Sequence, residues 1–411
     1  MKYLVILCDG MSDEPVAKLD NKTPMECACK PCMDALAQKS LCGTMITVPD
    51  NLVPESSTAN LAVMGYDPQI FSKGRSPLEA MSMGLDMSPE DVAFRCNVVT
   101  LSEDEPFEEK IMIDHSAGEI STKEADALIR ALDQALGTDT RHFYTGISYR
   151  HCMIWSNPPA ENEAIYDFSR PHDFLGQKIK DKLPHGKVGD IYRDLYLRSY
   201  EILNVHPVNL ARIAAGKRPA NCIWLWSAGK KPALPSYEEK FGVKGAVISA
   251  VDLIKGIGIC AKMKPIHVEG ATGNYLTNYA GKANAAIDAF QEGYEFVYIH
   301  LEGPDECGHQ GEADHKVVAI ERIDQEVLVP IKTYLDSMGE AYRILICPDH
   351  PTPVRIRTHT RAPVPFFLYD NQNEVASLVA RFTEDEAKKT GICIEKGHEL
   401  LGKYMFNHKE G

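Results

Sequence analysis

The stretch FVYIHLEGPDECGHQGE, residues 296–312, decides how the rest of the chain is read. Its first half is a short, almost uninterrupted apolar run, the pattern of a strand buried on both faces. Its second half sets Asp305 and His309 four residues apart. If that half opens a helix, both side chains lie on one face and can grip one ion. A buried strand that delivers polar residues from its C-terminal end follows the plan of an open α/β sheet.

Runs of the same kind recur on either side: YLVILCD (3–9), CIWLWSA (222–228), GAVISAV (245–251), RILICPD (343–349) and PFFLYD (365–370). Helix-period segments lie between them, among them KPCMDALAQKS (30–40), TNYAGKANAAIDAFQEG (277–293) and HKVVAIERIDQEVLVPIKTYL (315–335). Apolar strands alternating with amphipathic helices predict an α/β core, a mostly parallel sheet with helices on both faces. Asp9, Glu302 and Asp349 each fall where such a strand ends, the edge at which open α/β sheets bind ligands.

Between about 89 and 215 the pattern changes. VAFRCNVVTL (92–101), EKIMIDH (109–115) and HFYTGISYRHCMIWS (142–156) alternate polar and apolar residues, with helices expected at 122–136 and 190–215. This predicts a smaller inserted α+β domain, 89–215, within a core formed by 1–88 and 216–411. The 411 residues exceed what one typical core needs.

The charge of −14, from 44 basic and 58 acidic residues, disfavours nucleic acid and acidic membrane surfaces as partners. A small anionic metabolite remains compatible if cations reverse the field locally. No apolar run reaches the roughly 18 residues of a membrane span. The apolar start MKYLVILCDG is cut short by Asp9-Gly10, so it reads as a first buried strand rather than a signal peptide, and a cytoplasmic location is expected. Cys27, Cys29 and Cys32 form C-x-C-x-x-C without a fourth cysteine at a paired spacing, and they read as incidental thiols. Oligomeric state is left open.

The remaining polar signals are a Ser-rich turn, PESSTAN (54–60), the strand-end loop CPDH (347–350), made rigid by Pro351, and THT (358–360). With the first strand end they supply Asp9, Ser56, Asp305, His309, Asp349, His350 and His359, hard-to-borderline N/O ligands for two divalent cations with a serine hydroxyl between them. Cations stabilise both a serine alkoxide and the charge on phosphoryl oxygens, so phosphoryl transfer is the expected chemistry. Ser56 and Ser57 are both competent by residue type.

LCDGMSDEP (7–15), STANLAVMGYDP (57–68), GRSPLEA (74–80), DVAFRCN (91–97), PDECGH (304–309), PDHPTP (348–353) and HTRAPVPF (359–366) together resemble cofactor-independent phosphoglycerate mutases of the archaeal type, in the alkaline phosphatase superfamily. The resemblance runs in order along nearly the whole chain. It implies an alkaline-phosphatase-like core with an inserted substrate domain, and a phosphoserine intermediate. It also implies one metal held by Asp9, Ser56, Asp349 and His350, and a second held by Asp305, His309 and His359. Manganese is the preferred metal, with magnesium or zinc as alternatives. Alignment to the family's Pro-Gly-Ser-Asp-x-Ala-Asn pattern selects Ser56 as nucleophile, with Glu55 and Ser57 standing where the pattern has Gly and Asp.

In the insert, Arg95 and Arg150 are the candidates for gripping the substrate through bidentate contacts, and Asp114 and His151 for proton transfer. Arg75, Lys255 and Lys282 are lesser candidates. The segment DHSAGEI (114–120) departs from the archaeal pattern Asp-Arg-Arg-Ala-Gly-Arg, with His115, Ser116 and Glu119 in place of arginines. That departure resembles a bacterial sister group with a proposed homoserine kinase role. The expectation is therefore interconversion of 3- and 2-phosphoglycerate, with homoserine kinase-like transfer on the same site as the alternative. Hydrolase or phosphopentomutase chemistry on that core stays open beside them, whereas a non-catalytic binding protein would leave a complete metal set idle.

Overall fold

The computed structural model describes residues 1–72, 74–159 and 168–407. Two strands open the chain, β1 (Lys2–Cys8) and β2 (Leu41–Met45). Five follow in the middle: β3 (Asp91–Leu101), β4 (Met112–Asp114), β5 (Arg141–Ile147), β6 (Arg150–Ser156) and β7 (Cys222–Lys230). Six more complete the chain: β8 (Gly245–Ile248), β9 (Lys264–Ile266), β10 (Phe296–Leu301), β11 (Tyr342–Cys347), β12 (Val364–Asp370) and β13 (Cys393–Ile394).

One compact unit comprises residues 1–72 and 233–411, the other 73–232. In the first, eight strands lie in the order β13-β2-β12-β11-β1-β10-β8-β9. The pairings of β12 with β11 and with β2 are antiparallel and the others are parallel. The antiparallel return has a local cause. The chain from β11 to β12 is a loop rich in Pro and Arg, without the crossover helix that a parallel neighbour requires.

β1, β10 and β11 are buried along almost their whole length, and Leu4, Ile6, Val297, Ile299, Ile344 and Ile346 pack in one core with helix residues such as Ala286, Phe290, Ile320 and Ile331. Each such side chain adds roughly 1.5–3 kcal/mol by leaving water. The register sets Cys8 beside Leu301 and Leu7 beside Cys347, so the three strands end together. Asp9 N–H donates to the Leu301 carbonyl at 3.0 Å, which holds the first residue past β1 against β10.

The helix expected at 315–335 is two α-helices, Ala313–Arg322 and Val329–Met338, joined by a π-helical turn, Ile323–Leu328. Pro330 has no N–H to continue a regular ladder, which favours the wider turn. The turn carries Asp324, whose carboxylate accepts the Cys32 and Met33 N–H groups at 3.2 and 2.6 Å and so caps the helix Pro31–Ala37.

The second unit has a five-stranded antiparallel sheet, β4-β3-β6-β5 with β7 on the other side of β3. Its core gathers Phe94, Val98, Leu128, Leu132, Tyr192, Tyr196 and Trp224. The expected boundaries at 88/89 and 215/216 move outward. CIWLWSA, read as a strand of the parallel sheet, is β7 and pairs with β3, because a continuous apolar run does not say which sheet receives it. The helix Ser76–Ser82 joins this unit too, since the Ser76 hydroxyl accepts the Arg95 N–H at 2.9 Å and donates to the Ser227 carbonyl. The helix expected at 122–136 is present as Thr122–Leu136. The one expected at 190–215 is two, Gly186–Asn204 and Pro207–Ala214, because the residue before a proline disfavours the helical conformation.

Among the described residues no helix is long and apolar enough to cross a membrane.

Candidate active site

The converging ends of β1, β10 and β11 carry Asp9, Asp305 and the pair Asp349-His350. PDECGHQ is a helix, Gly303–Gln310, so Asp305 and His309 share a face, with His309 Nε2 at 3.2 Å from Asp305 Oδ2. PESSTAN departs from the expected turn. Ser56 is the first residue of the helix Ser56–Val63, whose entry is set by Glu55 in an extended conformation.

Two ligand groups result. Asp305, His309 and His359 offer atoms within 4.8 Å of one another, and so do Asp9, Asp305 and His350. Asp305 belongs to both, whereas the expectation assigned it to one. Ser56 Oγ lies 3.2 Å from His350 Nε2, with Asp9 Oδ1 at 3.6 Å and Asp349 Oδ2 at 3.4 Å from that same nitrogen.

The imidazoles are oriented by their other nitrogens. His309 Nδ1 faces the Arg357 carbonyl at 3.0 Å and His359 Nδ1 the Pro54 carbonyl at 2.9 Å. A carbonyl only accepts, so each Nδ1 carries a proton and both Nε2 atoms turn inward, 2.9 Å apart. Thr352 Oγ1 donates to Asp305 Oδ1 and accepts from His350 Nδ1 at 3.2 Å, which aims the His350 Nε2 lone pair at Ser56. Asn60, fully buried, donates to the Ser56 carbonyl and to Asp349 Oδ2 at 2.9 and 2.8 Å, and accepts from Tyr298 at 2.7 Å.

The electrostatics are those of a site built around cations. Burial, with the Asp349 and Asp305 carboxylates alongside, pushes the Asp9 carboxyl well above its usual range. Burial would also raise Asp305, but hydrogen bonds to His309 and His359 hold it well below. The Asp305 carboxylate lifts His309 to about 9. Asp9 Oδ1 is buried without a hydrogen-bond partner. Inward-facing imidazole nitrogens, a proton held strongly where a cation would sit, and an orphaned carboxylate oxygen together fit divalent cations of the hard-to-borderline kind. Cys27, Cys29 and Cys32 join neither group, and their thiols are free.

The insert residues are arranged differently. Asp114 accepts from Ser116 N–H, Ser116 Oγ and Gly118 N–H at 2.7–2.8 Å, and pairs with Arg218 at 2.7 Å. Burial would raise its carboxyl, but these donors outweigh burial and lower it to about 2. It is therefore ionised at neutral pH and braces the turn, so in any proton transfer it would start as the acceptor. His151 is buried, and burial lowers it to about 4. Its Nδ1 accepts the Gly146 N–H at 3.1 Å, which leaves the proton on Nε2, an atom without a partner.

Arg95 pairs with Glu79 at 2.7 Å and stacks on Trp226 at 4.4 Å. Arg150 is exposed and lies over Tyr149 at 4.5 Å. The register puts Asn97 opposite Arg150 and Cys96 opposite His151, so Arg95 and Arg150 share one sheet face and His151 takes the other. Lys282 is fully buried and donates to the His300 carbonyl at 3.1 Å.

Sequence reading missed Thr352, Asn60, His300 and Arg218. The Asn60 position, four past Ser56 on what proves to be a helix, was the one available signal.

An α/β sheet whose strand ends gather carboxylates and imidazoles around a helix-borne serine defines the class. The family profile described as 2,3-bisphosphoglycerate-independent phosphoglycerate mutase matches residues 37–209. A probable 2,3-bisphosphoglycerate-independent phosphoglycerate mutase of Geobacter sulfurreducens is 47% identical over 401 residues, 98% of each chain. The 2,3-bisphosphoglycerate-independent phosphoglycerate mutase of Methanosarcina mazei is 44% identical over 403 residues, 98% of this chain and 99% of that one. The solved cofactor-independent phosphoglycerate mutase of Thermoplasma acidophilum superposes with a TM-score of 0.70 at 25% identity, covering 100% of both chains. The chain belongs to the 2,3-bisphosphoglycerate-independent phosphoglycerate mutase family.

Proposed function

We propose that this enzyme interconverts 3-phosphoglycerate and 2-phosphoglycerate through a phosphoserine at Ser56. The observation that carries the reading is the Ser56 hydroxyl, 3.2 Å from His350 Nε2 at the edge of the carboxylate–imidazole cluster. Two divalent cations, manganese by preference, would be held by Asp305, His309 and His359 and by Asp9 and His350 with Ser56 and Asp349, Asp305 reaching both groups, and would supply charge stabilisation and a lowered serine pKa.

Ser56 Oγ bonds to phosphorus as the bond to the first glycerate oxygen breaks. The leaving oxygen takes a proton, and the neighbouring hydroxyl then attacks the phosphoserine, loses its proton and regenerates Ser56 Oγ. Asn60 fixes the first turn of the serine's helix through the Ser56 carbonyl, which limits drift of the nucleophile between the two transfers. Neutral His151, with its proton on an unpartnered Nε2, is the insert residue suited to proton exchange. Arg150, exposed and free of a carboxylate partner among the described contacts, suits the substrate carboxylate better than Arg95, whose charge Glu79 offsets.

A second reading, phosphorylation of homoserine from ATP, rests on DHSAGEI, where Asp114 is spent on Arg218 and Glu119 lines a cavity of about 410 Å³ beside Arg212 and Lys217. Purified protein with manganese decides between them. Interconversion of the two phosphoglycerates supports the first reading. Homoserine-dependent consumption of ATP without interconversion replaces it with the second.

A further inference from the structure

β10 ends in His300-Leu301, and the His300 side chain lies in the core beside β8, fully inside the first unit. Its Nε2 is 2.8 Å from Asp9 Oδ2, and its Nδ1 is 3.2 Å from Ser249 Oγ, just past β8. Ser249 Oγ in turn accepts the Val251 N–H at 2.9 Å. All three side chains are almost wholly buried, at 2%, 1% and 4% exposure for Asp9, His300 and Ser249. Lys282 Nζ holds the backbone carbonyl of His300 at 3.1 Å from the helix Tyr279–Gln291.

The direction of this chain follows from its ends. Ser249 Oγ accepts the Val251 N–H, and its own proton has two acceptors in reach, the Val251 carbonyl at 3.4 Å and His300 Nδ1 at the shorter 3.2 Å, so we place it toward Nδ1. With Nδ1 accepting, the ring proton sits on Nε2 and is donated to Asp9 Oδ2. One oxygen of the Asp9 carboxylate is thereby claimed from behind. The other, Oδ1, is the buried atom without a partner, and it faces His350 Nε2 at 3.6 Å. A carboxylate held through one oxygen has its rotamer fixed and turns the other oxygen, with both lone pairs free, toward the ion.

We propose that His300, set by Ser249, is a positioning residue that fixes the Asp9 carboxylate so that Oδ1 alone faces the cation position. The inference rests on the metal-centre reading above and adds a role for a histidine that is in neither ligand group and touches the cluster only through Asp9. Removing such a backing donor weakens metal binding about 10–100-fold in comparable sites.

The test is Mn²⁺ binding to the full metal-free chain by calorimetry and electron paramagnetic resonance, with thermal unfolding of each metal-free variant as the control. Wild type should bind Mn²⁺, and His300→Leu should lose about 10–100-fold in the affinity of the Asp9 side. His300→Gln, whose amide N–H reaches the place of Nε2, should recover most of it, and Ser249→Ala should show a smaller loss. Unchanged affinity in His300→Leu overturns the proposal. So does a His300→Gln variant as weak as His300→Leu, because packing rather than the hydrogen bond would then matter. If His300→Leu does not fold, Ser249→Ala decides, lowered affinity supporting the chain and unchanged affinity overturning it. Absence of Mn²⁺ binding by wild type overturns the metal centre itself, and this inference with it.

Discussion

His309 Nε2 and His359 Nε2 face each other across 2.9 Å, because the carbonyls of Arg357 and Pro54 fix the proton on the far side of each ring. Two Nε2 atoms so close are stable only with a proton or a metal ion between them and Asp305, and the strongly held proton on His309 marks that place. His309→Ala should therefore remove one of two bound ions and leave the other. Elemental analysis of the purified variant checks this, and an unchanged metal content counts against the i, i+4 pair of Asp305 and His309 as ligands.

Ser56→Ala should abolish turnover, by at least on the order of 10⁴-fold for loss of a covalent nucleophile. Metal content should stay close to that of wild type, since Asp9, Asp349 and His350 remain. A trapped phosphoserine in wild type, located by mass spectrometry, is the direct assay; phosphate found on Ser57 instead would move the nucleophile.

Gly10 occupies the left-handed region at φ +60°, and a Cβ there would meet Asp305 Oδ1 at 2.5 Å and Thr352 Oγ1 at 2.6 Å. Gly10→Ala adds about 1–2 kcal/mol of backbone strain and forces apart the groups that both ligand sets share. Its expected signature is lost activity with reduced metal occupancy in a protein that still unfolds cooperatively. Wild-type occupancy and turnover would show that the loop yields freely.

Thr352→Val removes the hydroxyl that links Asp305 to His350 while keeping its shape. Loss of that link should weaken Mn²⁺ binding about 10–100-fold, with Thr352→Ser close to wild type. Parallel calorimetric titrations of the two variants provide the comparison.

His151 is neutral in the folded chain because burial lowers it to about 4, whereas the unfolded chain titrates near the ordinary value of 6.5. The unfolded state therefore binds more protons between those limits. Stability is fully present above pH 6.5 and declines as pH falls toward 4, by on the order of 3 kcal/mol at most. His151→Asn should flatten this acid limb, measured as the difference in urea midpoint between pH 7 and pH 5. An equally steep limb in the variant would assign it to other groups.

Local pattern was enough for the strand-and-helix alternation, for Asp9, Asp305, Asp349 and His350 at strand ends, and for the i, i+4 pair on the helix Gly303–Gln310. These are short-range facts, because side-chain period and turn residues report directly on the conformation of a few neighbours. The same logic failed for β7, whose Trp-rich run fits either sheet, and for the break at Pro207, which was read through as one helix. It also passed over Thr352 and Asn60, ordinary residues until the fold shows what they touch.

Residue types and their spacing along the chain determined which groups are available: carboxylates, imidazoles and a serine placed where strands give way to loops. Tertiary structure alone decided how they are aimed. The tautomers of His309 and His359, the backing of Asp9 by His300, and the engagement of Asp114 by Arg218 all depend on partners dozens to hundreds of residues away. Hydrogen-bond direction is set by such partners, and no local pattern encodes them.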